Sequence, residues 1–243
     1  MPPVIVMMDG KFSPEDLTSH GALDLRAIGD KGWRAIVESC TASELRLYYL
    51  KVRSLAGVDR LRQTVNLSIE WANRVEDISP LFSMSWLRSL TLYDLPRIRR
   101  LDGIEALAGL QELHLSGNRG SLNPPLKLDS VRPIATLENL ERLEIVNLRL
   151  EDNDISFISS AFPKLRSLRL SGKTFERAQL AYLAKRLNAQ LEDPILGNWE
   201  MKAARCKCGR NFHLFMGRRM GMLCPACHAK KFDKLIKEFE HSG

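Results

Sequence analysis

Cys206-x-Cys208 and Cys224-x-x-Cys227 are the residues of this 243-residue chain whose types and spacing most directly imply chemistry. Each pair is close enough to sit on one tight turn, and 15 residues separate the pairs. Four thiolates in that arrangement can surround one zinc ion tetrahedrally. Such a site is closed. It leaves no position for water, so the expected Zn2+ is structural and not catalytic. Gly209, directly after a ligand, suits a turn that demands positive φ. His213 and His228 stand nearby as substitute ligands, but the four cysteines already fill the coordination sphere. The fifth cysteine, Cys40, lies in a helical pattern and reads as buried core.

The elements that must position these thiols are legible around them. "RNFHLF" and "MGMLC" read as two strands joined around "MGRRMG", a hairpin. "ACHAKKFDKLIKEFE" reads as an amphipathic helix with Phe232, Leu235, Ile236 and Phe239 on one side. Knuckle, hairpin and knuckle at a helix start resemble a zinc-ribbon or treble-clef finger, although the C-x-C pair is tighter than the usual C-x-x-C. A unit of this size with little apolar material needs a metal staple. Catalytic zinc readings fail on counting. A RING-type ligase domain takes eight ligands, and the zinc deaminases pair H-x-E with P-C-x-x-C, where this chain has C-P-x-C.

Charge is unevenly placed. From Glu200 onward ten Lys/Arg face four Asp/Glu, whereas residues 1–199 carry 26 basic and 25 acidic groups. Arg205, Lys207, Arg210, Arg218, Arg219, Lys230 and Lys231 cluster around the finger, with Phe212 and Phe215 as candidate stacking faces. That combination suits contact with nucleic acid, the alternative function of the tail.

Upstream, one pattern recurs. "LRSLTL" (87–92), "LQELHL" (110–115), "LERLEI" (140–145) and "LRSLRL" (165–170) all fit L-x-x-L-x-L, and "SGN" follows the second, placing Asn118. Weaker copies are "GALDLRAI", "SELRLYYL" and "TVNLSI", with the last apolar residues assigned to Leu25, Leu47 and Leu67. Alternating leucines put two side chains on one face of a short strand, and such a unit buries that face only by stacking on its neighbours. "GWRAIVESC" and "FERAQLAYLAKRLNAQL" read as helical returns, the latter with Phe175, Leu180, Leu183 and Leu187 near one face. "LNPPLKLDSVRP" marks an inserted loop.

These copies, covering about residues 20–190, resemble the leucine-rich-repeat family. "VEDISPLFSMSWLRSLTL" and "IRRLDGIEALAGLQELHLSGN" are similar to its internalin-like subclass. The resemblance implies an α/β solenoid with a parallel concave sheet over residues 1–198, followed by the finger at 199–243. It also implies binding in place of catalysis, with a protein partner on the concave face. One column across that face is expected to hold Asp24, Arg46, Asn66, Thr91, His114, Glu144 and Arg169, the next Arg26, Tyr48, Ser68, Tyr93, Ser116, Val146 and Ser171. Mixed charge with two tyrosines suits a protein surface better than a polyphosphate, and Tyr48 and Tyr93 are the expected anchors.

No nucleophile, base and orienter stand together, and His114 reads as polar surface, so neither an enzyme nor a small-molecule substrate is expected. No apolar run approaches the roughly 20 residues of a membrane helix. "VIVMM" at Val4–Met8 lacks a preceding basic residue and reads as a strand. The signal peptide of secreted internalins is missing, so their host-receptor role is not carried over. The expectation is a cytoplasmic binding protein, for example in a bacterial regulatory, toxin-neutralising or effector role, with Trp199 capping the last repeat at a 192–204 junction.

Overall fold

The structure is a computed structural model that describes residues 2–118 and 126–241. Leucines spaced two apart make the principal strands: β1 (Val4–Met7), β2 (Ala22–Ile28), β3 (Glu44–Leu50), β4 (Asn66–Glu70), β5 (Ser89–Tyr93) and β6 (Glu112–Ser116). After the two-residue β7 (Lys127–Leu128) come β8 (Arg142–Val146), the short β9 (Arg149–Leu150) and β10 (Ser167–Leu170). The sheet order is β1-β2-β3-β4-β5-β6-β8-β10, and every neighbour is parallel. β7 and β9 pair separately with each other. The "LNPP" part of the inserted loop lies outside the described residues; the rest of the loop forms β7 and leads to a 3-10 turn at Arg132–Thr136.

The core is two leucine rows running across the strands. Leu45, Leu67, Leu90, Leu113, Leu143 and Leu168 form one; Leu47, Ile69, Leu92, Leu115 and Ile145 form the other. Every member is at most 6% exposed, and burying each such side chain contributes about 1.5–3 kcal/mol. Returns complete the core from the other side. Helix α1 (Glu15–Thr18) contributes Leu17, and α2 (Asp30–Ser39) contributes Trp33, Ile36 and Val37. The middle returns are too short for helices and use 3-10 turns, with Pro80 and Pro133 in their first turns, where a missing N–H costs nothing. Helix α3 (Ile158–Ala161) and α4 (Arg177–Leu187) close the series, and Phe175, Leu180, Leu183 and Leu187 are buried as the periodicity requires. Cys40 is buried, and burial raises its thiol pKa.

Two sequence expectations are corrected. The last apolar residue of β4 is Ile69, not Leu67, because Leu67 pairs with Leu45 and Leu90 while Ile69 pairs with Leu47 and Leu92. Asn66 therefore leaves its assigned column and lies between Glu44 and Ser89. Ser68 moves into that column and Glu70 takes the position given to Ser68. The second correction lies after Ile195. The "junction" forms an eight-residue strand, β11 (Asn198–Arg205), which pairs antiparallel with β12 (Asn211–Phe215) and, through it, with β13 (Met222–Leu223). A register shift between Met201 and Arg205 breaks the alternation that would have marked a strand in the sequence. Helix α5 (Ala229–His241) follows.

Candidate functional site

Two strands and one helix start carry the cysteines. β11 ends at Arg205, where the Cys206 amide donates to the Arg210 carbonyl at 2.8 Å and the Gly209 amide donates to the Cys206 carbonyl at 2.9 Å. Gly209 makes this knuckle at φ 84°. The second knuckle runs into α5, the His228 amide donating to the Cys224 carbonyl at 3.1 Å. All four Sγ atoms lie within 4.8 Å of one another, with Cys206–Cys227 at 3.7 Å and Cys208–Cys224 at 3.4 Å. Metal–sulfur bonds of about 2.3 Å at tetrahedral angles separate the sulfurs by about 3.8 Å, so this spacing accommodates a metal ion.

The electrostatics agree. The amides of Cys227 and Ala226, with the neighbouring thiols, hold the Cys224 thiol down to about 6. Cys227, hydrogen-bonded to Cys208, Cys206 and Cys224, is pushed up to about 12. Thiols this close share their protons, and a metal ion bound among them would displace those protons. His213 and His228 lie outside the cluster. His213 bonds Asn198 Oδ1 at 2.8 Å and packs edge-on against Phe232 at 5.0 Å.

The cysteine unit is fastened to the last repeat. The Arg177 guanidinium donates to the carbonyls of Gly197, Met216 and Leu235 at 2.9, 2.7 and 2.7 Å, between the rings of Phe215 and Phe239. The Gly217 amide donates to the Gly172 carbonyl at 2.6 Å, and that of Arg218 to the Phe175 carbonyl at 2.7 Å. Met216 joins the repeat core directly and Phe239 packs against it. Trp199, expected as the cap, is 40% exposed and brings only its ring edge to Gly172. The basic residues of the tail are dispersed as a result. Arg218 turns to Glu176 at 3.6 Å, Arg219 lies in the docked turn at φ 62°, and Arg210 borders an open cavity with Arg205 and His213. Lys230 and Lys231 are exposed on the first turn of α5. Phe215 is buried and unavailable for stacking.

The exposed face of the eight-stranded sheet carries a row Ile5–Asp24–Arg46–Ser68–Thr91–His114–Glu144–Arg169. The next row is Met7–Arg26–Tyr48–Glu70–Tyr93–Ser116–Val146. Cross-strand ion pairs hold both. Arg46 reaches Asp24 at 2.8 Å and Glu70 at 2.6 Å, which raises its pKa further. Glu144 reaches His114 at 3.5 Å and Arg169 at 2.9 Å, and these partners lower its pKa. The Tyr48 ring lies under Arg46 and Arg26 and 6.0 Å from Trp71. Burial, with Asp94, Glu70 and Tyr48 nearby, raises the Tyr93 phenol. Trp71 is the residue that sequence reasoning missed here; its place directly after "NLSIE" is the signal, once β4 is in register. At the amino ends of β2–β5 the small residues Asn66, Ser68, Ser89 and Thr91, with Arg46, line a separate shallow groove, one row away from Tyr48 and Tyr93.

The chain matches no protein-family model, and no curated protein matches it in sequence. Its fold is similar to that of solved internalins. Internalin C2 from Listeria monocytogenes superposes with a TM-score of 0.51 at 22% identity, covering 75% of this chain and 77% of that one. Internalin F from the same organism gives a TM-score of 0.44 at 15% identity, covering 70% of this chain and 55% of that one. No described helix is long and apolar enough to cross a membrane.

Proposed function

We propose that this chain is a non-enzymatic protein-interaction module. Residues 1–198 act as a leucine-rich-repeat solenoid whose concave face docks a protein partner, and 199–243 act as a structural zinc finger that closes its end. The observation that carries the reading is the strand face over β3–β5, where the aromatic row of Tyr48, Trp71 and Tyr93 runs next to a shallow groove lined by Arg46, Ser68 and Thr91. Its charged neighbours are already fixed by ion pairs. A partner therefore meets ordered side chains and little rotamer entropy is lost on docking. Arginines already neutralised by Asp24 and Glu70 do not select for a polyanion, so side-chain packing against the aromatics supplies the specificity.

The test is crosslinked capture of partners from the source cells with wild type, Thr91→Arg and Tyr93→Ala. Thr91→Arg fills the groove from the outer face of the sheet and leaves the leucine rows intact. Loss of the same captured protein in both variants supports the site; undiminished capture in both rejects it.

A second reading, nucleic acid bound through the finger, is favoured by one observation. Trp199, Leu214 and Met222 are cross-strand neighbours on the sheet face opposite Phe232, and Met201 and Phe212 form the next row. Trp199 and Met222 are 40% and 49% exposed in the basic part of the chain. Labelled oligonucleotides should then bind with steep salt dependence, and Trp199→Ala should abolish it. Salt-indifferent anisotropy would dismiss this reading.

A further inference from the structure

Arg34, Lys51, Arg53 and Arg74 converge on one surface cavity of about 330 Å³ at the carboxyl ends of β2, β3 and β4. Arg34 comes from α2, Lys51 and Arg53 follow β3, and Arg74 follows β4, so three successive repeats contribute. Among the described residues none of the four side chains makes an ion pair or hydrogen bond; the Lys51 ammonium only overlies the Tyr49 ring at 4.9 Å. The arginines of the strand face behave differently: Arg26, Arg46, Arg142 and Arg169 each reach a carboxylate. A body with 26 basic and 25 acidic groups has thus paired its charges on one face and left four cations unpaired around one cavity. Asp30 is the single acid among the lining residues.

We propose that this cavity binds a ligand with two or more adjacent phosphate groups. Four like charges gathered at one site repel one another, and a multiply charged anion reverses the sign of that energy. Guanidinium forks meet phosphate oxygens two at a time, while Lys51 adds a compact point charge. Ser54 Oγ accepts the Ala56 amide at 3.1 Å, which leaves its own hydrogen to donate to a phosphate oxygen. The wall is already rigid, since the Trp33 indole donates to the Ala56 carbonyl at 3.0 Å and the ring is 6% exposed. The cavity volume is at the small end of ligand sites, which run from about 300 Å³. An acidic peptide strand fits less well. Its carboxylates on one face lie about 7 Å apart along the strand, whereas an oligophosphate concentrates its charge within one cavity.

Calorimetric titration of the full chain with tripolyphosphate, ATP, AMP and an acidic peptide, in magnesium-free low-salt buffer, tests this. The expected result is saturable one-to-one binding of tripolyphosphate that weakens with salt. Arg53→Ala with Arg74→Ala should weaken it about 100-fold, about tenfold per charge-assisted contact. Arg97→Ala with Arg100→Ala, whose cations are paired to Glu76 and Asp102, should leave it unchanged. Equal affinities for ATP and tripolyphosphate mean that phosphate alone is recognised; tighter ATP means that the nucleoside is held as well. All four substituted arginines are exposed, so an unaltered circular dichroism spectrum is expected throughout. Non-saturable binding, binding indifferent to Arg53 and Arg74, or tighter binding of the peptide than of tripolyphosphate overturns the proposal.

Discussion

Arg177, the first residue of α4, donates to the carbonyl of Leu235 in α5 at 2.7 Å, across 58 positions of sequence. The same guanidinium also holds Gly197, just before β11, and Met216, just after β12, so one side chain ties the last repeat to the ends of both strands and to α5. Burial lowers its pKa, with Glu238 opposing, yet an arginine stays charged under all ordinary conditions. Arg177→Ala should cost roughly 2–4 kcal/mol of docking energy, because three carbonyls lose a charged donor at once. Arg177→Lys should recover only part, since an ammonium cannot reach three carbonyls in a planar fork. Hydrogen exchange will show it: amides of β12 and α5 should lose protection while those of β3–β6 keep theirs.

The four sulfurs set a second expectation. Purified under reducing, chelator-free conditions, the chain should carry one zinc per molecule by mass spectrometry of its metals. Cys208→Ser or a strong chelator should remove it and unfold β12, β13 and α5, because no residue of α5 is fully buried and the finger has little core of its own. The leucine rows do not depend on that ion. Far-ultraviolet dichroism should therefore fall by the finger's share alone, and urea unfolding of the remainder should stay cooperative.

Strands with two well-spaced leucines were legible because one spacing rule serves both pairing and burial. The sequence columns from β5 to β10 match the register, with His114 facing Thr91 and Glu144. The β4 error came from counting one leucine, Leu67, as the last apolar residue when Ile69 shares the row with Leu47 and Leu92. A shift of two residues keeps every side chain on its own face, so alternation alone could not detect it. The cysteine cluster was legible for the opposite reason: ligand spacing is a local constraint. Docking of the cysteine unit was not legible, because Met216, Gly217 and Arg177 act through contacts that no local pattern encodes. Nor does composition reveal a cavity whose four cations come from three separate repeats.

Asp24 links the strand face to pH. Burial is the largest influence and pushes its carboxyl up, but hydrogen bonds from Arg26 and Arg46, with their charges, outweigh it and the net pKa is lowered. A folded-state pKa below the unfolded one adds stability above the unfolded value, and that stability is lost as pH falls through the folded one. The window therefore opens just below 3.8, the ordinary value for this group. Asp24→Asn should destabilise the chain at pH 7 and flatten its acid limb below that value, measured as Tm against pH. An acid limb identical to wild type would mean that the Asp24 pairs contribute nothing to it.

Equivalent positions two residues past the strand leucines respond to substitution in opposite ways. Tyr49 follows Leu47 by two and sits at φ 57°, as Ala27, Trp71, Asp94 and Asn147 sit at positive φ two residues past Leu25, Ile69, Leu92 and Ile145. A side chain in that left-handed region costs about 1–2 kcal/mol, with asparagine the least affected after glycine. Tyr49 is 44% exposed and touches only Lys51 among the cations. Tyr49→Asn should thus raise stability by about 0.5 kcal/mol, the relieved strain less a cation–π contact of about 0.5–1 kcal/mol. Gly117 holds the same place in sequence after Leu115 without the positive φ, but a Cβ there would collide with the Asn147 carbonyl oxygen. That oxygen belongs to backbone and cannot swing away, so β6 and the segment after β8 would have to part. Gly117→Ala should cost about 3 kcal/mol or more. Paired urea melts at constant m-value will separate the two, the midpoint moving up for Tyr49→Asn and sharply down for Gly117→Ala.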